Sequence, residues 1–88
     1  MVNFWENYSF ILRGNRRKRV LLYLSDPKIP KQIAQECNMS LSNVKASLID
    51  LEKRDLIKCL TPKQRIGRVY KLTEEGKKLK DYLLKTKK

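Results

Sequence analysis

Between residues 41 and 51 the apolar positions recur at helical spacing. Residues three and four apart lie on the same side of a helix, so these positions form one stripe. Ser40, a residue type favoured at the N-cap, comes directly before them and places the helix start near Leu41 or Ser42. The stripe consists of Leu41, Val44, Leu48 and Leu51. The opposite face carries Ser42, Asn43, Ala46, Asp50 and Lys53, flanked by Lys45 and Ile49.

A shorter helix is predicted just before this one, from about Lys31 to Cys37. Pro30 stands at or just before its first turn, where the missing N–H of proline costs nothing. Residues 38–40 then break the pattern. Two helices joined by a tight turn, the second with one buried stripe and one small, polar, partly basic face, are typical of a helix-turn-helix, here over residues 30–54.

Residues 1–12 are rich in aromatic side chains and are predicted to form a helix, with an extended segment over 8–12 as the alternative. Aromatic surface of this size at the end of a small domain either covers the domain's own core or packs against a second copy, since large exposed apolar patches mark interfaces. Both interpretations stay open at this point.

A second helix is predicted from about residue 15 to residue 25. It would bury Val20, Leu21 and Leu24. Four cations occupy residues 16–19, close to its N-terminus, where positive charge opposes the helix dipole. A nearby phosphate backbone would offset that cost, and a solvated cluster is the alternative.

Two short strands and a last helix are predicted after residue 54. Asp55 tolerates the left-handed backbone conformation that often ends a helix. Residues 56–60 and 68–72 have the composition of two strands of a hairpin around a turn-rich segment. Thr73 is predicted to cap the final helix. The apolar stripe of that helix consists of Leu79, Tyr82 and Leu83, and residues 85–88 are predicted to fray.

Charge is the most informative feature of the composition. The 88 residues, expected to form one domain, contain 21 Lys and Arg against 9 Asp and Glu, a net charge of +12. Such an excess indicates a polyanionic partner such as nucleic acid. A charge-rich thermophile surface is the alternative, but it would carry more acidic residues.

The residue types argue against several other classes of site. The sequence has no histidine, and its two cysteines, Cys37 and Cys59, lie too far apart for a zinc ribbon, so they are expected to be packed thiols. No acid–base pair, nucleophile constellation or phosphate loop stands out, so neither an enzyme nor a cofactor is expected. No signal peptide or membrane-length apolar run is visible, which predicts a cytoplasmic, nucleoid-associated protein.

Three stretches of the sequence resemble one known family. They are NRRKRVLLYLS (15–25), PKQIAQECNMSLSNVKASLIDLEKRDLIKC (30–59) and GRVYKLTEEGKKL (67–79). In this order they resemble winged helix-turn-helix regulators of the arsenic-repressor and multiple-antibiotic-resistance-repressor types, small prokaryotic and especially archaeal proteins, over about residues 10–84. The resemblance implies a mainly α fold with a small β-hairpin, the wing, at residues 56–72. The implied order is N-terminal helix, helix, helix, recognition helix, strand, strand and a C-terminal helix at residues 73–88.

The sequence also departs from this family. Ala46 occupies a recognition-helix position where many relatives carry a long polar side chain, and Asp55 stands where most have glycine. The clustered Cys and His of metal-sensing members are absent, so no metal site is expected. The chain leaves no room for a separate ligand-binding domain, and no small-molecule effector is evident.

The resemblance places the recognition helix in the major groove of double-stranded DNA. Asn43 can pair with adenine, Lys45 can reach a guanine or a phosphate, and Ala46 offers only a methyl contact to thymine. Ser47 is less well aimed. The predicted base contacts are Ser42, Asn43, Lys45 and Ala46. The predicted backbone or wing contacts are Arg16, Arg17, Lys31, Ser40, Lys53, Lys63, Arg65 and Arg68, with a solvated loop as the alternative for Lys63 and Arg65.

These expectations amount to a sequence-specific transcriptional regulator, a repressor acting as a homodimer. The predicted dimer interface consists of Phe4, Trp5, Tyr8, Leu79, Tyr82 and Leu83. The main alternative is an architectural DNA-binding protein of low specificity, which suits the net charge and the bland recognition face. A winged helix that binds protein or RNA within a larger machine is a third possibility, although its recognition face would be more acidic or apolar.

Overall fold

Five helices and a two-stranded hairpin follow one another along the chain, in the predicted order. The computed structural model describes residues 4–86, so the predictions for residues 1–3 and 87–88 lie outside it. The elements are α1 (Phe4–Leu12), α2 (Asn15–Tyr23), α3 (Pro30–Cys37), α4 (Leu41–Lys53), β1 (Ile57–Cys59), β2 (Tyr70–Leu72) and α5 (Glu74–Thr86). The predicted fold class is confirmed. The predicted fraying is wrong for residues 85 and 86, which continue α5.

Buried side chains from every one of these elements meet in one apolar cluster. The predicted core positions Val20, Leu21 and Leu24 are fully buried. On α4 the stripe is buried at Val44, Leu48 and Leu51, but its first member, Leu41, is exposed. The helix therefore packs on the core from Val44 onward, and only the start of its first turn is exposed.

The two strands of the wing are shorter than the sequence predicted. Its strands pair antiparallel with Ile57 opposite Leu72 and Cys59 opposite Tyr70. Arg68 lies in the loop instead of a strand, and its Nε donates to the Gln64 carbonyl at 2.6 Å. The threonine hydroxyl of Thr61 likewise accepts from the Val69 N–H at 3.0 Å. One backbone bond continues the pairing beyond the two strands, since the Leu60 N–H donates to the Val69 carbonyl at 2.7 Å. Side-chain bonds hold the loop beyond that point.

The wing is fixed to the helix-turn-helix by a third extended segment. The N–H of Lys28 donates to the Tyr70 carbonyl at 3.0 Å, and the N–H of Tyr70 donates back to the Lys28 carbonyl at 2.8 Å. Lys28 comes two residues before α3. Because this pair joins β2 to the chain just ahead of the helix-turn-helix, the wing stands beside α3 and α4.

The junction of α4, β1 and α5 depends on three small features of the sequence. Asp55 has the predicted left-handed backbone, with φ of 59°. The Thr73 hydroxyl accepts from the Gly76 N–H at 3.1 Å, as predicted for an N-cap, and donates to the Asp55 carbonyl at 2.6 Å. A Cβ on Gly76 would lie 2.0 Å from the Leu56 carbonyl oxygen, so only glycine permits this approach of α5 to the wing.

Both cysteines are free, as predicted. Burial raises the pKa of the Cys37 thiol, while the nearby Arg19 guanidinium opposes the rise. The Arg19 side chain also donates to the Cys37 carbonyl at 3.2 Å, at the C-terminal end of α3. Cys37 is therefore a packed thiol at a helix end that a cation stabilises.

Candidate nucleic-acid interface

The turn between α3 and α4 is held by backbone conformation and one side-chain cap. Asn38 ends α3 in the left-handed region, with φ of 56° and ψ of 48°. The Ser40 hydroxyl accepts from the Asn43 N–H at 3.2 Å and begins α4. Ser40 therefore has a structural role at the helix start, close to the positions predicted to contact DNA.

The four predicted base-contact residues share the first turns of α4. Ser42, Lys45 and Ala46 are exposed and Asn43 is half-buried. Ser47 is buried, which agrees with the expectation that its side chain is less well aimed at DNA. No part of the described chain covers this face. The first turn of α4 thus presents a small polar surface with one cation, a shape that can enter a groove closely.

A further predicted residue, Arg16, lies beside this face. Asn43 and Ala46 line a groove of about 610 Å³ together with Asn15, Arg16 and Arg19 of α2. The structure therefore brings the cationic first turn of α2 next to the exposed polar face of α4. Lys53, by contrast, is exposed at the last turn of α4, about 15 Å along the helix axis from Asn43 at the usual rise per residue.

Arg17 points into the protein, where it joins three helices. Its Nη2 donates to the Phe10 carbonyl at 2.8 Å, and its guanidinium lies 3.8 Å from the centre of the Phe10 ring. Its Nη1 lies 3.6 Å from an Asp50 carboxylate oxygen on α4. Arg54 covers Phe10 as well, at 4.3 Å. As these contacts occupy Arg17, the prediction of a phosphate contact for it needs correction: it is a positioning residue.

The remaining predicted cations surround the wing. Lys63 and Arg65 are exposed on its loop. Arg65 and Arg68 line a second groove together with Lys31 of α3 and Lys45 of α4. The structure thus places cations from both helices and from the wing along the same side of the molecule as the exposed polar face of α4.

The predicted dimer residues fall into two classes. Leu79 and Leu83 are buried in the core of their own chain, so their assignment to a dimer surface is corrected. The aromatic members form a cluster of edge-on rings between α1 and α5, with Phe4 5.0 Å from Trp5 and Tyr8 5.1 Å from Tyr82 between ring centres. Trp5 is 57% exposed. The cluster both covers the core and leaves aromatic surface open.

The described part of the chain contains neither a candidate metal site nor a candidate membrane-spanning helix. Within residues 4–86 no group of acidic or cysteine side chains is arranged to hold a metal ion. Over the same residues no helix is long and apolar enough to cross a membrane.

Solved structures share this architecture. TubR bound to 24 base pairs of tubC, from Bacillus thuringiensis serovar israelensis, matches with a TM-score of 0.80 at 14% identity, over 99% of this chain and 98% of TubR. The fold is a winged helix-turn-helix. The homodimeric winged helix-turn-helix DNA-binding domain of Mb0332 from Mycobacterium bovis, a possible ArsR-family transcriptional regulator, matches this winged-helix chain with a TM-score of 0.74 at 19% identity, over 92% of this chain and 75% of that one.

A variant of ZitR from Lactococcus lactis is also similar, with a TM-score of 0.72 at 21% identity over 82% of this chain. The winged-helix chain spans about half of ZitR, 51% of its length. The sequence matches no protein-family profile and no curated protein. At these identities the likeness establishes the fold, and the family resemblance of the sequence is confirmed at that level.

Sequence reasoning missed several residues around the wing groove. Leu41 was predicted to belong to the buried stripe and Ile49 to flank the opposite, polar face, and Ile66 was not singled out. In the structure all three are exposed and line the groove beside Arg65. An isoleucine between arginine and glycine, in a loop of otherwise polar residues, was the signal that could have identified the wing tip.

Proposed function

We propose that this winged-helix domain binds double-stranded DNA as a homodimer and regulates transcription, repressing promoters by occluding them. One observation carries the proposal: the uncovered polar face at the start of α4 is flanked by cations of α2, α3 and the wing. The net charge of +12 supplies the attraction to a polyanion. A protein with this partner would reside with the nucleoid in the cytoplasm.

In this proposal the N-terminal half of α4 enters the major groove with its exposed polar face, here called the reading face, which consists of Ser42, Asn43, Lys45 and Ala46. Asn43 reads adenine, Lys45 bonds a guanine or a phosphate, Ser42 serves either role, and Ala46 contacts a thymine methyl. Because Ser47 is buried, the reading surface is confined to about one and a half turns of helix. A short and degenerate half-site follows, and a dimer is needed to reach useful specificity.

Phosphate contacts supply most of the affinity. Arg16 lies beside the reading face, Lys31 and Arg68 line the wing groove, and Lys63 and Arg65 extend from the wing loop. Lys53 would meet the backbone further along the groove. If six phosphates are neutralised, the logarithm of the binding constant falls with the logarithm of salt concentration at a slope of roughly −5.

The aromatic cluster of α1 and α5 is the proposed dimer surface, through Phe4, Trp5, Tyr8 and Tyr82. It suits this role because tryptophan and tyrosine are enriched at protein interfaces and because Trp5 remains largely exposed in the single chain. Its structural relative Mb0332 is homodimeric, which supports the proposal.

Substitution of two neighbouring residues on α4 tests the reading face. Lys45→Ala should reduce the salt slope by about 1 on any duplex, the signature of a lost phosphate contact. Asn43→Ala should weaken binding to a selected site by about 1 to 3 kcal/mol and relax the preference at one base pair. Fluorescence anisotropy with labelled duplexes measures both effects.

Lys77→Ala on the exposed surface of α5 is the matched control and should leave affinity and slope unchanged. Equal small effects from Lys45→Ala and Lys77→Ala would mean that α4 is no closer to DNA than α5 is, and would contradict the proposed docking.

An architectural role with low sequence specificity is the second candidate. The observation in its favour is the composition of the reading face. Ala46 has no hydrogen-bonding group, Ser42 has only a hydroxyl, and only Asn43 and Lys45 have larger polar groups that can reach a base. The two candidates differ in base preference and share the same docking surface.

A further inference from the structure

The aromatic ring of Phe10, on α1, is contacted by two guanidinium groups from other parts of the chain. The Cζ atom of Arg17, in the first turn of α2, lies 3.8 Å from the ring centre. The Cζ atom of Arg54, at the C-terminal end of α4, lies 4.3 Å from it. Because a guanidinium over an aromatic face is attracted by the ring, Phe10 joins the helix of the proposed dimer surface to the helix of the proposed reading face.

Arg17 adds a second link between the same two helices. Its Nη2 donates to the Phe10 carbonyl at 2.8 Å, and its Nη1 lies 3.6 Å from a carboxylate oxygen of Asp50 on α4. The C-terminal part of α4 is therefore attached to Phe10 at two points, directly through Arg54 and indirectly through Arg17. Two points of attachment resist a rotation of one helix against the other that a single contact would allow.

Gly14, between α1 and α2, leaves the space that this arrangement needs. A Cβ atom on Gly14 would lie 2.4 Å from both the Cζ and the Nε of Arg17. The backbone of Gly14 is extended, with φ of −126° and ψ of 99°, which other residues adopt without strain. A side chain at this position would therefore leave the backbone as it is and push the Arg17 guanidinium away from Phe10.

The angle between α1 and α4 has a consequence for a dimer on DNA. If the half-sites lie one turn of DNA apart, about 34 Å, each α4 lies about 17 Å from the two-fold axis. A rotation of α4 against α1 by about 10° would then move it by about 3 Å, close to the rise of one base pair. The half-site spacing that a dimer accepts therefore depends on how firmly α4 is attached to α1.

We propose that Phe10 is a positioning residue: held by Arg17 and Arg54, it fixes the angle between α1 and α4 and thereby determines the half-site spacing that the dimer accepts. This inference rests on the proposed binding of DNA by a homodimer. It assigns a role in specificity to a residue that lies outside the proposed DNA surface.

Spin labels on α4 measure the positioning itself. The label is attached at Ser42→Cys in a Cys59→Ser background, in which the buried Cys37 stays unlabelled. Double electron–electron resonance between the two protomers should give one narrow distance distribution for the protein with Phe10. Phe10→Leu should widen the distribution about twofold, because leucine fills the space but does not attract a guanidinium. Gly14→Ala should widen it similarly, and the matched control Phe10→Tyr, which keeps the ring, should leave it narrow.

Duplexes that carry two copies of the selected half-site at spacings of about 9 to 12 base pairs test the consequence for specificity. The wild type should bind its preferred spacing about tenfold more tightly than the neighbouring ones, since a misplaced half-site loses the gain from simultaneous binding. Phe10→Leu and Gly14→Ala should reduce this ratio to about twofold, and Phe10→Tyr should retain it. A mere loss of stability would weaken binding at every spacing alike and leave the ratio unchanged.

The inference and the proposed function fail in different ways. A distance distribution or a spacing ratio for Phe10→Leu equal to that of the wild type would overturn the inference, and so would a wild type without a preferred spacing. A wild type that sediments as a monomer, or that binds no duplex at low salt, would contradict the proposed function itself.

Discussion

Trp5→Glu should convert the protein from a dimer to a monomer and weaken its binding to a duplex with two half-sites by about a hundredfold. A glutamate in the middle of the aromatic surface would have to be buried without a partner on association, which is costly. In a dimer, binding of one recognition helix to its half-site holds the second helix near the other half-site at a high effective concentration. A monomer lacks this gain in affinity. Sedimentation and anisotropy measure the two parts of this result.

Tyr23→Glu is the matched control, since Tyr23 is an exposed aromatic residue of α2 outside the cluster. It should change neither the mass in solution nor the affinity. Thermal unfolding of both variants should show that the fold persists. A Trp5→Glu protein that remains dimeric would place the interface elsewhere on the molecule.

Arg16 and Arg17 should behave in opposite ways although they are neighbours in the sequence. Arg17→Ala should destabilise the fold by about 2 to 3 kcal/mol, because it removes a hydrogen bond and an ion pair and uncovers one face of the Phe10 ring. Arg16→Ala should leave stability unchanged, and it should reduce the salt slope of DNA binding by about 1. Denaturant unfolding and anisotropy separate these effects.

Arg17→Lys is an informative third variant. It keeps the charge but lacks the planar group that stacks on Phe10, so it should recover only part of the lost stability. If Arg17→Ala were as stable as Arg16→Ala, the contacts that join α1, α2 and α4 would contribute little. The recognition helix would then be positioned by its apolar stripe alone.

The sequence was sufficient for the parts of the fold that local patterns specify. The turn at residues 38–40, the cap at Ser40, the left-handed Asp55 and the cap at Thr73 were all predicted. Each depends on residues within a few positions of one another. The residues that share the exposed polar face at the start of α4 could be predicted for the same reason, because helical spacing alone determines them.

Contacts between residues that are far apart in the sequence could not be predicted from its local patterns. Arg17 was assigned to DNA because four cations stand together, and nothing in the pattern shows that Phe10 and Asp50 converge on it from two other helices. Leu79 was assigned to an interface because an apolar stripe looks alike whether it faces the core or a partner. The wing strands were predicted too long, since the bonds of Thr61 and Arg68 that hold the wing loop depend on its folded conformation.

Selection of binding sites from a random pool of duplexes, with purified protein at about 150 mM salt, shows whether the protein recognises a DNA sequence. We expect enrichment of an inverted repeat whose half-sites lie about 10 base pairs apart, and loss of one conserved base position with Asn43→Ala. Retention of DNA without any enriched motif would contradict sequence-specific regulation and favour the architectural role. Failure to retain any DNA would contradict the account as a whole.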